Sequence, residues 1–339
     1  MIAPGRWPRT LHGAGVIALL AGCERTEQSW IPSSGVAADR IAELWWVMLA
    51  IAAAVFLFVL GLLVYAFIHR KPRAEPFTSS DDRGATRWVL FGGVGLPVVL
   101  LTPLFFYTLY ILGELAPPNQ SGEFEVEFVG HQWWWDVRYR FGEPTNVIRS
   151  ANEIHVPVGE RVRVRLRSED VIHSFWVPGL QGKMDLIPGR ETTTWIQADT
   201  AGVFRGECAE YCGLQHTRMA FVVFAHPPDD FARWLRNVRE ATPPPRDSVT
   251  ALGQQVFLGS ACVLCHAIRG TPARAQVGPD LTHLASRQTL AAGTLPNTRG
   301  HLAGWIGNPQ AIKPGNKMPR VPLRPEEFHP LLEYLMSLR

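Results

Sequence analysis

The sequence predicts a chain of three parts: a hairpin of two membrane-spanning helices, then an all-β domain, then a domain of helices. Residues 44–68 and 88–113 contain no charged side chain, and hydrophobic alternation with a period of two begins near residue 123. A proline-rich spacer, TPPPRD, follows the β-like region. We therefore expect an N-terminal segment with both spans at 23–119, the β-domain at 120–230, a linker at 231–247 and the helical domain at 248–339.

Composition excludes nucleic acid as a partner. The chain has 339 residues and a formal net charge of only +3. No basic run is interleaved with aromatic residues, as a groove for single-stranded nucleic acid would require.

The first 22 residues are predicted to be a signal peptide of the lipoprotein type. Arg6 and Arg9 precede the apolar stretch AGVIALLAG, which meets Cys23. A charged segment, a short apolar segment and a cleavage site of small residues are typical of secretory signals. The LAGC sequence resembles the lipobox of bacterial lipoproteins, which implies cleavage before Cys23 and a lipid on its sulfur. An ordinary signal peptide with an incidental cysteine is the alternative.

The two uncharged runs are predicted to span the bacterial inner membrane. Each exceeds the roughly 20 residues that a helix needs to cross the apolar core of a bilayer. Pro97 and Pro103 in the second run are tolerated where neighbouring helices satisfy the freed carbonyls, so a partner subunit is expected. Buried helices of a soluble protein are the alternative. Five basic residues place the connecting loop in the cytoplasm, and both termini outside: Arg70, Lys71, Arg73, Arg83 and Arg87.

The segment from 120 to 228 is predicted to be an antiparallel β-sandwich or barrel. EFEVEFV, at 123–129, and RVRVRLR, at 161–167, alternate apolar and charged residues. A period of two with β-branched residues indicates strands with one buried face, and Gly and Pro separate these strands.

One loop between predicted strands concentrates metal-binding residues. GECAEYCGLQHTRM, at 206–219, contains Cys208, Cys212, His216 and Met219, and His173 ends another predicted strand. Thiolate, imidazole and thioether together favour copper. Two thiolates with two histidines could instead hold zinc, and an oxidising compartment would allow a disulfide.

These residues, after two predicted spans and the aromatic stretch GHQWWWDVRY at 130–139, resemble subunit II of cytochrome c oxidase. The resemblance covers about residues 40–228. It implies a cupredoxin fold and a dinuclear copper centre, CuA. Its implied ligands are the bridging thiolates of Cys208 and Cys212, the terminal histidines His173 and His216, and the weak axial ligands Met219 and the carbonyl of Glu210.

The same resemblance implies roles beyond the copper ligands. The carboxylate of Glu210 would hold magnesium together with subunit I, and Trp133 would accept electrons from cytochrome c. A packed aromatic cluster is the alternative for Trp133 and is the role we expect for Trp134. Ala85 stands where the family commonly has a glutamate that helps admit protons, so no residue is assigned to that task.

A second cysteine pair lies in CVLCH, at 262–266. C-x-x-C-H is the attachment signature of c-type haem, with thioethers to Cys262 and Cys265 and with His266 as the proximal ligand. A thioredoxin-like redox pair is the alternative, but the expected βαβ pattern is missing. Since a methionine is expected as the sixth ligand, we favour Met318, in the loop IKPGNKMPR, over Met336 on a predicted core helix.

Residues 248–339, with GPDL at 278–281, resemble a class I cytochrome c, and the fusion resembles caa-type oxidases. The resemblance implies an electron-transfer subunit of a proton-pumping haem-copper oxidase. Electrons would pass from cytochrome c or a bc complex through haem c and CuA to subunit I, with subunit III as a further partner. A CuA-bearing subunit of a nitric oxide reductase and a copper- or thiol-handling membrane lipoprotein are the alternatives.

Charge predicts how the two outer domains meet. Residues 120–230 contain 11 Lys and Arg against 16 Asp and Glu, whereas residues 248–339 contain 9 against 4. Opposite net charges favour association. We therefore expect the helical domain to dock on the β-domain.

Overall fold

The computed structural model of the chain describes residues 29, 33–70, 83–117, 124–143 and 145–339. These residues form long apolar helices, a β-domain of two sheets and a helical domain, which confirms the predicted fold class. The predicted signal peptide and the lipidation site Cys23 lie outside the described residues.

The two predicted spans lie within longer helices. Helix α1 spans Val36–Ile68. The second long helix consists of α2, Arg83–Leu90, a wider π-helical turn at Phe91–Gly95, and α3, Leu96–Glu114. The wide turn ends just before Pro97, whose ring and missing N–H do not fit a regular α-helix interior.

Both long helices are apolar enough to cross a membrane. Their large apolar side chains are exposed, as shown by Phe56 and Phe67 at 66% and 70%. Exposure on this scale indicates a surface that lipid or another subunit covers.

The outer ends of these helices are attached to the β-domain. The Arg40 guanidinium pairs with the Glu114 carboxylate at 2.9 Å, which joins the start of α1 to the end of α3. The indole N–H of Trp195 donates to the carbonyl of Leu115 at 2.9 Å. The β-domain is therefore held close to the ends of the two spans.

Ten strands form two five-stranded sheets, ordered β3-β2-β1-β5-β8 and β4-β10-β9-β6-β7. Most neighbouring strands are antiparallel, as the sequence predicts, but β1 with β5 and β4 with β10 are parallel, which corrects the prediction at these two pairs. Parallel neighbours arise because the chain crosses between the sheets before it returns. The strands are β1 Glu125–His131, β2 Trp134–Arg140, β3 Val147–Ala151, β4 Glu153–Pro157, β5 Val162–Ser168, β6 His173–Val177, β7 Gln181–Leu186, β8 Thr192–Ile196, β9 Gly202–Cys208 and β10 Ala220–His226.

An aromatic cluster fills the space between the sheets. The Phe128 ring lies 4.7 Å from Trp135 and 4.9 Å from Phe221, and Phe175 lies 4.9 Å from Phe221, measured between ring centroids. All four side chains are fully buried. Because Phe175 lies two residues after His173 and is the cross-strand partner of Cys208, the cluster supports the loop that carries the predicted copper ligands.

Part of the predicted linker is helical. Helix α4 spans Pro228–Arg239, and its Phe231 and Val238 are buried against the core of the β-domain. Apolar residues on one face of an amphipathic helix explain this packing. The connection without regular structure is therefore confined to residues 240–247.

This connection lies along the helical domain. The Thr242 N–H donates to the carbonyl of Arg269 at 3.1 Å, and its hydroxyl donates to the carbonyl of Thr282 at 3.2 Å. The spacer is thus hydrogen-bonded to the domain that it precedes.

In the helical domain, the first and last helices pack against each other through Phe257 and Tyr334, whose ring centroids are 6.2 Å apart. The predicted apolar face of the last helix is buried at Leu331, Leu332 and Leu335. A short strand pair and an isolated bridge between Ala267 and Arg274 accompany the helices of this domain. The elements are α5 Ser248–Gly259, β11 Thr289–Leu290, β12 Leu295–Pro296, α6 Arg299–Gly307, α7 Pro309–Ile312 and α8 Pro325–Ser337, with 3-10 turns at Ala261–Leu264 and Leu284–Ser286.

Replacing Phe128 by alanine tests the role of the aromatic cluster. We expect Phe128→Ala to lower the free energy of unfolding of the β-domain by about 3–5 kcal/mol, because a large buried ring leaves a cavity. Guanidinium unfolding of the full chain in detergent, followed by tryptophan fluorescence, measures the change. Val203→Ala, at a side chain that is 57% exposed on β9, is the control and should change this free energy by no more than about 0.5 kcal/mol. Equal effects of the two substitutions would contradict the prediction.

Candidate metal and haem sites

Five predicted ligand side chains converge at one end of the β-domain. The Cys208 Sγ lies 3.8 Å from the Cys212 Sγ and 3.8 Å from the Nδ1 of His173. The Cys212 Sγ lies 3.6 Å from the Nδ1 of His216 and 3.8 Å from the Sδ of Met219. Two sulfurs at this separation are free thiols rather than a disulfide, whose S–S bond is about 2.05 Å. The donors are arranged as a compact sulfur and imidazole set.

Strand ends place these ligands. His173 begins β6 and Cys208 ends β9, and these two strands are antiparallel neighbours in one sheet. The backbone of Gly130, at the end of β1, passes so close to His173 that a Cβ there would lie 2.7 Å from the imidazole Cδ2. Glycine is therefore required at 130 for the imidazole to occupy its place.

Asp170 orients the imidazole of His173. Its Oδ1 lies 2.8 Å from His173 Nε2, and its Oδ2 accepts a hydrogen bond from the Gln132 N–H at 2.7 Å. This pairing leaves His173 Nδ1 facing the sulfurs, as a metal ligand requires. Burial alone would lower the pKa of His173, but the hydrogen bonds with Asp170 and Cys208 outweigh burial and raise it. Sequence reasoning missed Asp170, although its position three residues before a candidate ligand was a usable signal.

The thiols of Cys208 and Cys212 face each other at hydrogen-bonding distance. Their mutual hydrogen bond lowers the pKa of Cys208 to about 4 and raises the pKa of Cys212 above its ordinary value. The thiolate is the form of cysteine that binds metals, so the lowered pKa of Cys208 favours metal binding. A bound metal ion would displace the proton of Cys212.

The predicted ligand set also includes one main-chain group, the carbonyl of Glu210. Its oxygen lies 3.2 Å from Cys208 Sγ. The carboxylate of Glu210 accepts a hydrogen bond from the Tyr211 N–H at 3.1 Å, and the residue is exposed. The carbonyl thus faces the sulfurs, while the carboxylate is accessible from outside the domain.

The three consecutive tryptophans occupy different places. The indole N–H of Trp133 donates to the carbonyl of Cys212 at 3.0 Å, while Trp134 stacks on His131 with ring centroids 4.5 Å apart. Trp135 is buried in the aromatic cluster. Trp133 is therefore in direct contact with the predicted copper loop, and Trp134 packs against another ring.

The residues of the predicted haem site line one cavity of about 430 Å³. The His266 Nδ1 donates to the carbonyl of Pro279 at 2.8 Å, which leaves Nε2 available to a metal. A Cβ at Gly278 would lie 2.9 Å from the His266 ring, so glycine is needed there for close approach. Both cysteines and both predicted axial ligands border the cavity: Cys262, Cys265, His266 and Met318.

The lining of this cavity suits a haem. Most of it is apolar, including Leu281, Leu302 and Leu331. Two polar atoms in the lining, Arg287 Nε and Thr289 Oγ1, are buried without a hydrogen-bond partner in the described structure. The guanidinium of Arg287 also donates to the carbonyl of Asp280, so only its buried Nε–H is left over among the described residues. This N–H and the Thr289 hydroxyl could be satisfied by the anionic carboxylates of a haem.

The haem cavity lies against the predicted copper loop. Trp133 and Trp134 of the β-domain form part of its wall. One ion pair across the boundary, between Lys317 Nζ and Asp170 Oδ2 at 3.2 Å, joins groups of opposite charge. Other contacts are hydrogen bonds, such as the Ala220 N–H to the carbonyl of Ala292 at 3.0 Å and the Gln288 N–H to the Glu153 carboxylate at 2.7 Å. The ring of Trp133 thus borders the haem cavity while its N–H contacts the copper loop.

Removing the charge of Asp170 tests how the imidazole is oriented. We expect Asp170→Asn to weaken copper binding by about 10–100-fold, because a neutral amide holds His173 less firmly. Competition with a copper chelator measures the affinity. Asp229→Asn removes an exposed carboxylate on α4 and should leave the affinity unchanged. Equal affinities of the Asp170 variant and the unmodified chain would show that Asp170 does not support the site.

Comparison with known proteins identifies the family. The family described as cytochrome c oxidase subunit II, periplasmic domain, matches residues 124–226, and the cytochrome c family matches residues 250–339. Cytochrome c oxidase subunit 2 of Alkalihalophilus pseudofirmus is 33% identical over 292 residues, which cover 84% of this chain and 83% of that protein. The same-named protein of Bacillus subtilis is 28% identical over 353 residues and covers 98% of each chain.

Among solved structures, the periplasmic domain of subunit II of cytochrome oxidase from Bradyrhizobium japonicum is 30% identical, covering 35% of this chain and 96% of that chain, with a TM-score of 0.33. The family implies copper for the β-domain and haem for the helical domain. Two membrane-type helices before the matched domains agree with a membrane-anchored protein. The chain belongs to the cytochrome c oxidase subunit II family, in the form in which a cytochrome c domain follows the copper domain.

Proposed function

We propose that the chain carries electrons from a haem c in its last domain, through a dinuclear CuA centre, to subunit I of a proton-pumping oxidase that reduces oxygen to water. The observation that carries this proposal is the position of Trp133. Its indole N–H donates to the carbonyl of Cys212, and the same side chain borders the haem cavity. Both candidate sites therefore contact one aromatic side chain.

At the copper site, the thiolates of Cys208 and Cys212 and the imidazoles of His173 and His216 would hold the metal, together with the Met219 thioether and the Glu210 carbonyl. When bound, the copper pair and the haem supply the one-electron donor and acceptor states. The protein holds the ligands on strand ends and keeps water away, since the cysteines are only 5% and 2% exposed. Rigid and dry surroundings favour rapid transfer because little around the site must rearrange.

At the haem site, Cys262 and Cys265 would hold the haem covalently, and His266 and Met318 would hold its iron. The loop of Met318 is held by the side-chain amide of Gln310, which donates to the Met318 carbonyl at 3.0 Å. The Met318 N–H donates to Asn316 Oδ1 at 2.8 Å. These two bonds fix the backbone on either side of the sulfur-bearing side chain.

The partners proposed for the chain follow from its exposed surfaces. The apolar long helices would pack against subunits I and III and lipid, with a lipid on Cys23 as a second anchor. A cavity of about 630 Å³ is lined by Cys208 and His216 and by three charged residues, Lys183, Arg205 and Glu207. We propose that subunit I covers this face, with magnesium at the Glu210 carboxylate. Cytochrome c or a bc complex would donate electrons on the outer side of the inner membrane.

Purification of the native complex in mild detergent tests the proposed function. We expect subunit I to co-purify, metal analysis to give one haem c and at least two coppers per chain, and the complex to consume oxygen with a reduced carrier. Nitric oxide reduction without oxygen uptake would favour the nitric oxide reductase alternative. A single labile copper and no large subunit would instead indicate copper delivery.

Cys208→Ser tests the bridging role of that sulfur. Because serine cannot bridge two coppers as a thiolate does, we expect the near-infrared copper absorption to vanish and oxygen uptake to fall to background. Haem c should remain reducible by ascorbate with an unchanged spectrum. Persistence of the near-infrared band in the variant would contradict the assignment.

Met318→Ala is the reciprocal test. A methionine ligand raises the potential of a haem, so its loss should lower the haem c potential and alter the haem spectrum, with the copper band intact. Potentiometric titration measures the change. Met336→Ala, on the packed helix α8, is the matched control and should leave both unchanged. If Met336→Ala changes the potential and Met318→Ala does not, the ligand assignment is wrong.

A further inference from the structure

A buried lysine lies between the two domains. The side chain of Lys313 belongs to the helical domain, and the residue is only 2% exposed. Its Nζ donates to the carbonyls of Trp133 at 2.8 Å, Arg218 at 2.7 Å and Ala291 at 2.9 Å. Two of these acceptors belong to the copper domain and one to the haem domain. All three protons of the ammonium therefore have an acceptor, and the acceptors come from three separate segments.

These hydrogen bonds favour one relative position of the two domains over others. Burial lowers the pKa of Lys313 to about 7, so keeping a charge there is costly. The cost is offset only while all three carbonyls are in reach. A displacement of one domain would leave buried N–H and C=O groups unpaired, which is expensive. A buried charge is weak evidence for added stability, because desolvation offsets much of what its interactions contribute.

The acceptors of Lys313 are placed at both candidate sites. Trp133 contacts the carbonyl of Cys212 and borders the haem cavity, and Arg218 immediately precedes Met219. On the other side, Lys313 begins the loop that leads to Met318. Neighbouring contacts join the same segments, since the Gln215 amide donates to the carbonyl of Pro314 at 2.7 Å. The lysine thus connects the copper loop with the loop of the predicted haem ligand.

We propose that Lys313 is a positioning residue that fixes a single docked arrangement of the haem domain on the copper domain. Its importance for the relay rests on the proposed function. Its geometric role concerns residues of this chain alone and can be tested separately. In this arrangement the haem domain does not sample the surface of the copper domain, and the separation between the two centres has one value.

Lys317 provides a matched comparison in the same loop. It carries the same charge, but its side chain is 66% exposed and contacts Asp170 at 3.2 Å. An exposed ion pair is weak and is screened by salt, whereas a buried ammonium bound to carbonyls is screened much less. The two lysines should therefore differ in their importance and in their response to salt.

Chemical acetylation of the native full chain tests burial of Lys313 without any substitution. We expect Lys313 to react at least about tenfold more slowly than Lys317, because its modification requires an opening of the domain boundary. Mass spectrometry of the digested chain measures both rates. Equal rates at the two lysines would overturn the proposal, whether or not copper and haem pass electrons.

Pulsed electron paramagnetic resonance on the oxidised holoprotein tests the single arrangement. Methionine has a similar length and no charge, so we expect Lys313→Met to broaden the distribution of haem-to-copper distances and to slow transfer by about tenfold or more, at low and high salt. Lys317→Met should keep a narrow distribution, with at most a small effect that salt removes. The haem spectrum of each variant reports whether its haem domain has formed.

A narrow distribution and an unchanged transfer rate in Lys313→Met would contradict the proposal. If that variant fails to incorporate haem, the acetylation rates of the unmodified chain still decide. If the unmodified chain binds no copper pair, the proposed function fails, and acetylation again decides the role of Lys313 alone.

Discussion

The contact between Trp133 and the carbonyl of Cys212 is the constraint on which both candidate sites depend. It fixes an aromatic side chain on the loop that carries the sulfur ligands, and the haem cavity is built against that side chain. The strand ends that support His173 and Cys208 make the loop rigid, and the aromatic cluster beneath makes the strand ends rigid. Electron transfer between two centres requires that the cluster, the strand ends and the loop hold one another in place. A small displacement of the aromatic cluster would move both sites.

Polar side chains that are buried or partly buried recur wherever geometry must be held. Asp170 is paired with the imidazole of His173, Lys313 joins two domains, and the Nε of Arg287, a residue in the wall of the haem cavity, has no partner among the described residues. Each of these groups is costly to bury unless a specific partner is in place. Because burying these groups without a partner costs free energy, the arrangement of segments that supplies the partner is favoured. That partner comes only from the native arrangement or from a bound cofactor.

Short stretches of sequence were enough to predict features that depend on neighbouring residues in the chain. The Cys208 and Cys212 sulfurs lie together, Cys262 and Cys265 border one cavity, and the uncharged runs lie in long helices. Features that depend on distant segments were not predictable in this way. Glu127 alternates like a surface residue, yet arginines of neighbouring strands cover it, among them Arg138 at 3.5 Å. Lys313 looks like an ordinary charged loop residue until Trp133 and Arg218 approach it in the folded chain.

The most direct measurement of the relay is time-resolved absorption after a single electron is delivered by a light-activated donor to haem c in the intact complex. We expect haem c to be reoxidised with the same time constant as the near-infrared copper absorption disappears, independent of protein concentration. Reoxidation of haem c without any change in the near-infrared, or at a rate that rises with protein concentration, would contradict transfer within the chain.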